Sequence, residues 1–263
     1  MLLAVDIGNT NIVVGVFKGD LLKASWRLST KMHITSDEYG ILMTELLSIK
    51  EIKKEDIHDA IVSSVVPPLT PVIENTLKKY YGVKPLIVSS SINTGLNICY
   101  KNPDEVGADR IVNAVAVYTL YGGPAIIVDF GTATTFCVIS QNAEYIGGVI
   151  MPGLTISAEA LWNKASRLTR VSLEKPDMII GDTTVKSMQS GILLGHVGAV
   201  DRIIEEIKFE LSNRWGENLP HIIATGGFAE LIVPLSRYIK IVKPSLTLEG
   251  LRIIYEKNRG ADV

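Results

Sequence analysis

Cysteine is scarce in this chain, with Cys99 and Cys137 alone among 263 residues. Neither belongs to a C-x-x-C pair, and both sit among apolar or aromatic neighbours. That excludes a disulfide framework and a thiolate zinc site, and suits a reducing compartment. Histidine is nearly as sparse: His33, His58, His196 and His221 are scattered without metal-ligand spacing, so none is a catalytic or ligating candidate. An excess of either charge is missing too. The 26 Lys and Arg nearly balance the 28 Asp and Glu, for a formal net charge of −2. No Lys/Arg stripe dominates any segment, which argues against nucleic-acid binding. EIKKEDIH (51–58) mixes both signs and reads as a solvated face. No apolar run approaches the roughly 20 residues that a membrane-spanning helix needs. The basic start of a signal peptide is absent, and Asp6 interrupts the first apolar run. These absences lead us to expect a cytoplasmic protein with no membrane and no nucleic-acid partner. Two phosphate-binding signatures are missing as well: GxxxxGK[ST], and a kinase-type GxGxxG with its VAIK lysine.

What is present is a globular balance, 47% apolar and 21% charged, in a chain long enough for one large domain or two ordinary ones. The segment AVDIGNTN (4–11) ends an apolar run on Asp6, turns through Gly8, Asn9 and Thr10, and resumes as IVVGVF. It predicts a hairpin, with strands at 2–6 and 12–18 and a third at 21–28. A helix is expected from Ser36 to Leu47, with Ser36 as N-cap and Asp37 and Glu38 in its first turn. DAIVSSVVPP (59–68) reads as a buried strand stopped by two prolines. PVIENTLKKYYG (71–82) is a helix with proline at its start and glycine at its end. KPLIVSS (84–90) predicts another strand, and residues 107–123 a helix closed by two glycines.

The opening pattern then returns. IIVDFGTATTFCVI (126–139) matches LAVDIGNTNIVVGV (3–16) in an apolar strand, an Asp, a glycine turn with hydroxyl residues, and a second apolar strand. Asp6 aligns with Asp129 and Gly8 with Gly131. Thr10 aligns with Ala133 or, one step either way, with Thr132 or Thr134. A third strand follows in each copy, LLKASWRL and AEYIGGVI. We read duplicated halves of an α/β protein, 1–115 and 116–263, each a β-meander followed by α and β elements. The second half continues with a helix at 154–164, a loop through KPDMIIGDTT, and a long helix from Thr183 to Trp215. Met188, Ile192, Val200, Ile203, Ile204, Ile207 and Leu211 form that helix's apolar set. Gly191, Gly195 and Gly198 weaken it by roughly 1 kcal/mol each, which predicts close packing against another element. HIIATGGFAELIVPL (221–235) reads as strand, glycine turn and helix, and the chain ends on the helix TLEGLRIIYEKN.

If the two hairpins face one another, two carboxylates and two glycine–hydroxyl turns surround a common point. Turns without side-chain bulk expose backbone N–H groups, which suits an oligophosphate. The carboxylates suit an oxygen-ligated cation, Mg²⁺ through water or a monovalent ion. ATGGF (224–228) would seat a purine and its ribose against glycine backbone, a weak signal by itself.

Several stretches together carry a family resemblance: VDIGNTN with Lys18 shortly after, GADR at 107–110, VDFGTATT at 128–135, GGVIMPG at 147–153, GDTT at 181–184 and ATGG before the last helices. They resemble the nucleotide motifs of the superfamily that unites acetate kinase, sugar kinases, heat-shock chaperones and actin. Within it they are most similar to type III pantothenate kinases. The resemblance implies ribonuclease H-like (actin-like ATPase) halves, each a mixed five-stranded sheet flanked by helices. It implies ATP-dependent phosphorylation of pantothenate to 4'-phosphopantothenate, which opens coenzyme A biosynthesis. By the same resemblance Asp6, Ile7, Gly8, Asn9, Thr10, Asn11, Ile12 and Val13 contact ATP phosphates, joined by Thr132. Asp109 is the general base. Tyr100, Gly107, Ala108, Asp109, Arg110 and Thr184 line the pantothenate site. Asp129 ligates a monovalent cation, K⁺ or NH₄⁺, while Mg²⁺ accompanies ATP. The family also forms homodimers whose second subunit closes the substrate pocket.

Three other readings compete with this one. Without the resemblance, Asp109 is simply an acid in the first turn of a helix, and Lys18 an exposed hairpin lysine. A sugar kinase of the same superfamily would need an extended sugar-recognition region that the chain lacks. A nucleotide-dependent filament former or chaperone would be a much longer chain, and an accessory factor in transcription finds no basic surface here.

Overall fold

The N-terminal hairpin forms as the sequence predicts. In the computed structural model, β1 (Leu2–Ile7) runs antiparallel to β2 (Asn11–Lys18), with Asp6 opposite Val13 and Ile7 opposite Ile12. The structure describes residues 1–89, 91–165, 168–216 and 219–259. In chain order there follow β3 (Leu21–Ser29), α1 (Ser36–Ile49), β4 (Asp59–Ser64), α2 (Thr70–Thr76), β5 (Leu86–Ile87), β6 (Asn97–Ile98) and α3 (Ala108–Tyr121). Next come β7 (Ala125–Phe130), β8 (Ala133–Ile139), β9 (Glu144–Pro152), α4 (Leu154–Lys164) and α5 (Thr184–Trp215). The last elements are β10 (His221–Thr225), α6 (Ala229–Ile232), β11 (Ile241–Val242) and α7 (Leu246–Asn258).

These elements divide into two compact units. One comprises Met1–Leu96, Lys101–Ala116 and Leu246–Val263; the other comprises Asn97–Tyr100 and Val117–Ser245. Between Lys101 and Ser245 the chain passes from the first unit to the second at Ala116/Val117. The C-terminal helix α7, however, belongs with the first unit, not with the half that precedes it in sequence.

The first unit carries a five-stranded sheet ordered β3-β2-β1-β4-β5. β1 is central, antiparallel to β2 and parallel to β4. Central position explains its unbroken apolar run, because a strand covered on both faces has no solvent side on which to alternate. Leu3, Val5 and Ile7 pack in one core with Tyr39, Met43 and Leu47 of α1 and with Ile73 and Leu77. Edge strand β3 alternates exposed with partly buried residues instead, Ala24 being its one buried side chain. α1 begins at Ser36 as expected, but its cap lies one residue earlier than predicted. Its N-cap is Thr35, which accepts from the Glu38 amide while the Glu38 carboxylate accepts from the Thr35 amide at 2.8 Å. This reciprocal pair satisfies two amides that Ser36 alone would leave open. The strand at 84–90 shrinks to two residues, and the helix at 71–82 ends in a π-turn stopped by Gly82 at φ 69°. α7 packs on β1, β2 and β4. A methyl on Gly15 of β2 would meet Leu248 Cδ1 at 2.7 Å, so glycine in mid-strand is the cost of seating this helix.

The second unit repeats the design. Its sheet is ordered β11-β10-β7-β8-β9-β6, six strands where five were expected. Apart from the two-residue β6, which pairs with the edge strand β9, the order matches that of the first sheet strand for strand. The apolar set predicted on α5 is the set that packs: Met188, Ile192, Val200, Ile204, Ile207 and Leu211 are buried, and Ile203 partly so. Gly191, Gly195 and Gly198 differ from expectation, since they are exposed and nothing in the chain lies within 4 Å of a methyl built on any of them.

Gly250 of α7 tests how tightly that helix is seated. Alanine in a helix interior ordinarily adds up to about 1 kcal/mol over glycine, but here its methyl would lie 2.2 Å from the Val112 carbonyl oxygen. Backbone cannot swing aside, so overpacking wins and Gly250→Ala should lose about 2 kcal/mol. A denaturation midpoint at or above that of the wild type would contradict this packing.

Candidate active site

In the first unit the functional residues gather at the carboxyl ends of β1 and β4. The turn after β1 is closed by the Gly8 amide donating to the Asn11 carbonyl at 3.0 Å. It is braced from outside by Thr30, just past β3. The Thr30 hydroxyl donates to Gly8 O at 2.6 Å and its amide to Thr10 O at 3.0 Å. Asn9 and Thr10 are thereby held exposed at the tip. Ile7 and Ile12 are fully buried, so of the predicted phosphate-contacting residues these two can offer only backbone. Asp6 is half-buried, with Val13 and Ser63 as its strand neighbours. Lys18 lies at the exposed far end of β2.

The GADR segment reaches the same end of this sheet. Val65 follows β4, donates its amide to Ile7 O at 3.0 Å, and lies 3.6 Å from a methyl built on Gly107. Around it is a cavity of about 320 Å³, whose lining includes Ser64, Val65, Val88, Val106, Gly107 and Ala108. Its position beyond the carboxyl ends of the parallel strands β4 and β5 is where open α/β sheets bind ligands. Asp109 sits beside it in the first turn of α3. Asp109 Oδ1 accepts from the Arg110 amide at 2.8 Å and folds back over Gly107, where a methyl would approach it to 2.6 Å. Burial pushes the Asp109 carboxyl above the usual carboxylate range, against the opposing pull of Arg110, which is itself buried. A carboxyl so displaced holds a proton more readily than a solvated one, as a general base requires.

In the second unit, Asp129 of β7 lies between Thr135 of β8 and Thr225 of β10. The glycine turn of ATGGF crosses over it. Gly226 has φ 92°, and a methyl there would lie 2.5 Å from Asp129 Oδ1 and 2.6 Å from the Phe130 amide nitrogen. Thr132 is exposed at the tip of the β7–β8 turn. Gly153, ending GGVIMPG, presses against that turn so closely that a methyl would fall 2.2 Å from Thr132 O. Further along the turn, Thr134 Oγ1 and His196 Nε2 are hydrogen-bonded at 3.0 Å, both buried. Burial lowers the affinity of His196 for a proton, which keeps the ring neutral. Tyr100 packs its ring 6.4 Å from that of Tyr145 and beside Gly147. Thr184 is exposed at the first position of α5, capped by Thr183 through the Lys186 amide at 3.2 Å.

Among the described residues no three His, Cys, Asp or Glu side chains gather as a metal cluster. Asp129 with threonine hydroxyls and glycine backbone around it is a hard oxygen set, suited to Mg²⁺ or a monovalent cation and unsuited to a transition metal. Thus Gly107, Ala108, Asp109 and Arg110 stand together in the first unit with the 6–13 turn, while Tyr100, Asp129, Thr132 and Thr184 belong to the second. Thr30, Val65, Gly153 and His196 were not singled out as site residues from sequence. Only Gly153 carried a signal, as the last residue of a motif.

A model of the type III pantothenate kinase family matches residues 2–206. The fold is shared with solved structures at low identity. A protein assigned to the Baf family of transcriptional activators, from Campylobacter jejuni, is 20% identical with TM-score 0.61, covering 98% of both chains. An ethanolamine utilization protein from Carboxydothermus hydrogenoformans is 14% identical with TM-score 0.53, over 96% of this chain and 89% of its own. A protein assigned as a 2-dehydro-3-deoxygalactonokinase, from Sinorhizobium meliloti, is 12% identical with TM-score 0.52, over 100% and 99%.

The raised Asp109 carboxyl has a measurable consequence. Because its folded value lies above its unfolded value, near 3.8, folding favours the protonated form. The stabilisation is complete below that unfolded value and disappears as the pH rises through the folded value. Asp109→Asn removes the buried charge while keeping an acceptor for the Arg110 amide. Its melting temperature should exceed that of the wild type at pH 7, with the gap closing as the pH falls towards 3.8. A gap independent of pH would show that burial of Asp109 carries no such penalty.

Proposed function

Because the chain belongs to the type III pantothenate kinase family, we propose that it transfers the γ-phosphoryl group of ATP to the primary hydroxyl of pantothenate. The product is 4'-phosphopantothenate, the first intermediate on the way to coenzyme A. The observation that carries this reading is Asp109, a carboxyl of raised proton affinity at the head of α3, beside a cavity lined by Gly107 and Ala108. In the proposed step an Asp109 oxygen takes the hydroxyl proton and the alkoxide oxygen bonds to the γ-phosphorus. The bond from that phosphorus to the β–γ bridging oxygen breaks, releasing ADP. Phosphoryl transfer asks mainly for positioning and charge stabilisation, so one carboxylate that orients the hydroxyl is enough protein chemistry.

The remaining assignments follow family membership and the local geometry. Asp6 to Val13 offer backbone amides and the Asn9 and Thr10 side chains to phosphate oxygens, and Thr132 offers its own. Tyr100, Arg110 and Thr184 complete the pantothenate contacts. Mg²⁺ enters with ATP and offsets its charge. Asp129 holds K⁺ or NH₄⁺, in keeping with its oxygen surroundings. Free thiols at Cys99 and Cys137 suit a reducing, ATP-supplied cytoplasm; recovery of the protein from an exported fraction would contradict that location.

A coupled assay for ADP tests the reaction, with pantothenate, N-acetylglucosamine, glucose or no acceptor. Turnover should require pantothenate. Asp109→Asn should lower it by about 10²-fold or more, the usual contribution of a general base, while still binding ATP. Turnover with a sugar in place of pantothenate would overturn the assignment.

The cation claim is read separately. Activity should depend on potassium or ammonium, and Asp129→Ala should stay impaired at saturating potassium. Equal rates in potassium and in a bulky organic cation would remove the monovalent site.

We propose further that the protein is a two-fold homodimer. Gly191, Gly195 and Gly198 leave an open strip on α5, the helix that begins with Thr184, and close helix approach needs small residues. Symmetric dimers are also the commonest soluble oligomers. Gly195→Leu should weaken association and pantothenate affinity together, and sedimentation of a fully active wild-type monomer at assay concentration would refute the dimer.

A further inference from the structure

The buried imidazole on α5 has no part in the chemistry above, and its surroundings give it one. His196 is 5% exposed, in a stretch of α5 whose flanking residues Ile192 and Val200 belong to the core. An apolar side chain would pack there without a partner, whereas a buried imidazole must find one. Its partner is Thr134, itself 1% exposed, at 3.0 Å. The same ring lies against Phe130, with centroids 6.2 Å apart and planes tilted by 54°. Phe130 and Thr134 are the last facing pair of the β7–β8 ladder. The residues between them, Gly131, Thr132 and Ala133, are the turn that offers Thr132 to phosphate. One side chain therefore grips both feet of that turn, while Gly153 bears on its tip.

The comparable turn of the first unit is held differently. There the facing pair is Ile7 and Ile12, both apolar, and the bracing comes from the hydrogen bonds of Thr30 to Gly8 and Thr10. Gly153 occupies the position after β9 that Thr30 occupies after β3, and has no side chain with which to brace. The second turn is held from α5 by His196, which bonds Thr134 and lies against Phe130.

We infer that His196 is a positioning residue for ATP binding, which sets the orientation of the Gly131–Ala133 turn through Thr134 and Phe130. The inference rests on the reading that Thr132 contacts ATP. The neutral ring serves as donor or acceptor to the Thr134 hydroxyl, so the bond persists whichever tautomer is present.

The test compares His196→Phe, which keeps an aromatic ring but loses the hydrogen bond, His196→Gln, which can restore it, and Thr134→Val, which removes it from the other side. Mg-ATP affinity is measured by calorimetry on the full-length protein without pantothenate, alongside melting temperature and separate KM values for ATP and pantothenate. His196→Phe and Thr134→Val should each weaken Mg-ATP binding about fivefold, as expected for one hydrogen bond of ordinary net strength. The double variant should be no worse than either single one, and His196→Gln should recover most of the affinity. The KM for pantothenate should stay put. Lower melting temperature with unchanged Mg-ATP affinity would make His196 a purely structural residue and overturn the inference. Thr132→Ala separates this from the underlying reading. If it binds Mg-ATP like the wild type, the Thr132 hydroxyl is no phosphate contact and the reading fails. If it binds weakly while the His196 and Thr134 variants bind normally, the reading stands and the positioning role falls.

Discussion

The structure depends on a carboxylate placed one residue from the end of a strand that is buried on both faces. Asp6 ends β1 and Asp129 ends β7, each central in its sheet. A strand in that position must be apolar along its length, because helices cover both faces and no water reaches it. It can turn polar only where the sheet runs out. That edge is also where the chain must reverse in a tight turn through glycine, closed in the first unit by the Gly8 amide on the Asn11 carbonyl. Core packing and the placing of a carboxylate beside a glycine turn are thus two consequences of one constraint, and the chain meets it twice.

Twofold use of one design has not produced two equivalent turns. Hydrogen bonds from Thr30 strap the first to its neighbouring strand, while the second is pressed by Gly153, overlaid by Gly226 and gripped from the long helix by His196. Glycine at 153 and 226 is required by approach distances of 2.2 and 2.5 Å that no methyl survives. The first turn leans on the strand next to it in its meander, and the second adds contacts from two parts of the chain beyond its meander, the Gly226 turn and His196. Such a turn is more exposed to changes elsewhere in its unit, since two of its braces come from outside the meander.

Asp109 shows the opposing demands of stability and chemistry in one side chain. Its carboxyl is folded over Gly107 in surroundings that favour the proton, and the Arg110 amide and charge offset only part of the burial. A solvated acid at the same helix position would be better for the helix, because the dipole favours the ionised form there. A partly desolvated carboxylate of raised proton affinity is the better proton acceptor. The proton-accepting role proposed for Asp109 would account for that choice, whereas helix stability by itself would not.

Much of this was legible in the sequence. Both hairpins, the capping acids of α1, the proline and glycine bounds of the second helix and the apolar face of α5 rest on near-neighbour signals: strand alternation, turn residues and helical spacing. The repeat of strand, Asp and glycine turn was visible for the same reason, and with it the α/β duplication. Tertiary structure decided the rest. β6 and β11 are two residues long, and a strand so short exists only through its partner, so no local pattern marks it. The placement of α7 with the first unit depends on Leu248 meeting Gly15 across the chain. The glycines of α5 look like packing contacts in one dimension and are open surface in three. A lone histidine on an apolar helix face carries no signal of its own; its role follows from Thr134 and Phe130, which folding brings to it across more than sixty residues. Sequence determines what adjacent residues can do together, and the fold alone decides which distant ones meet.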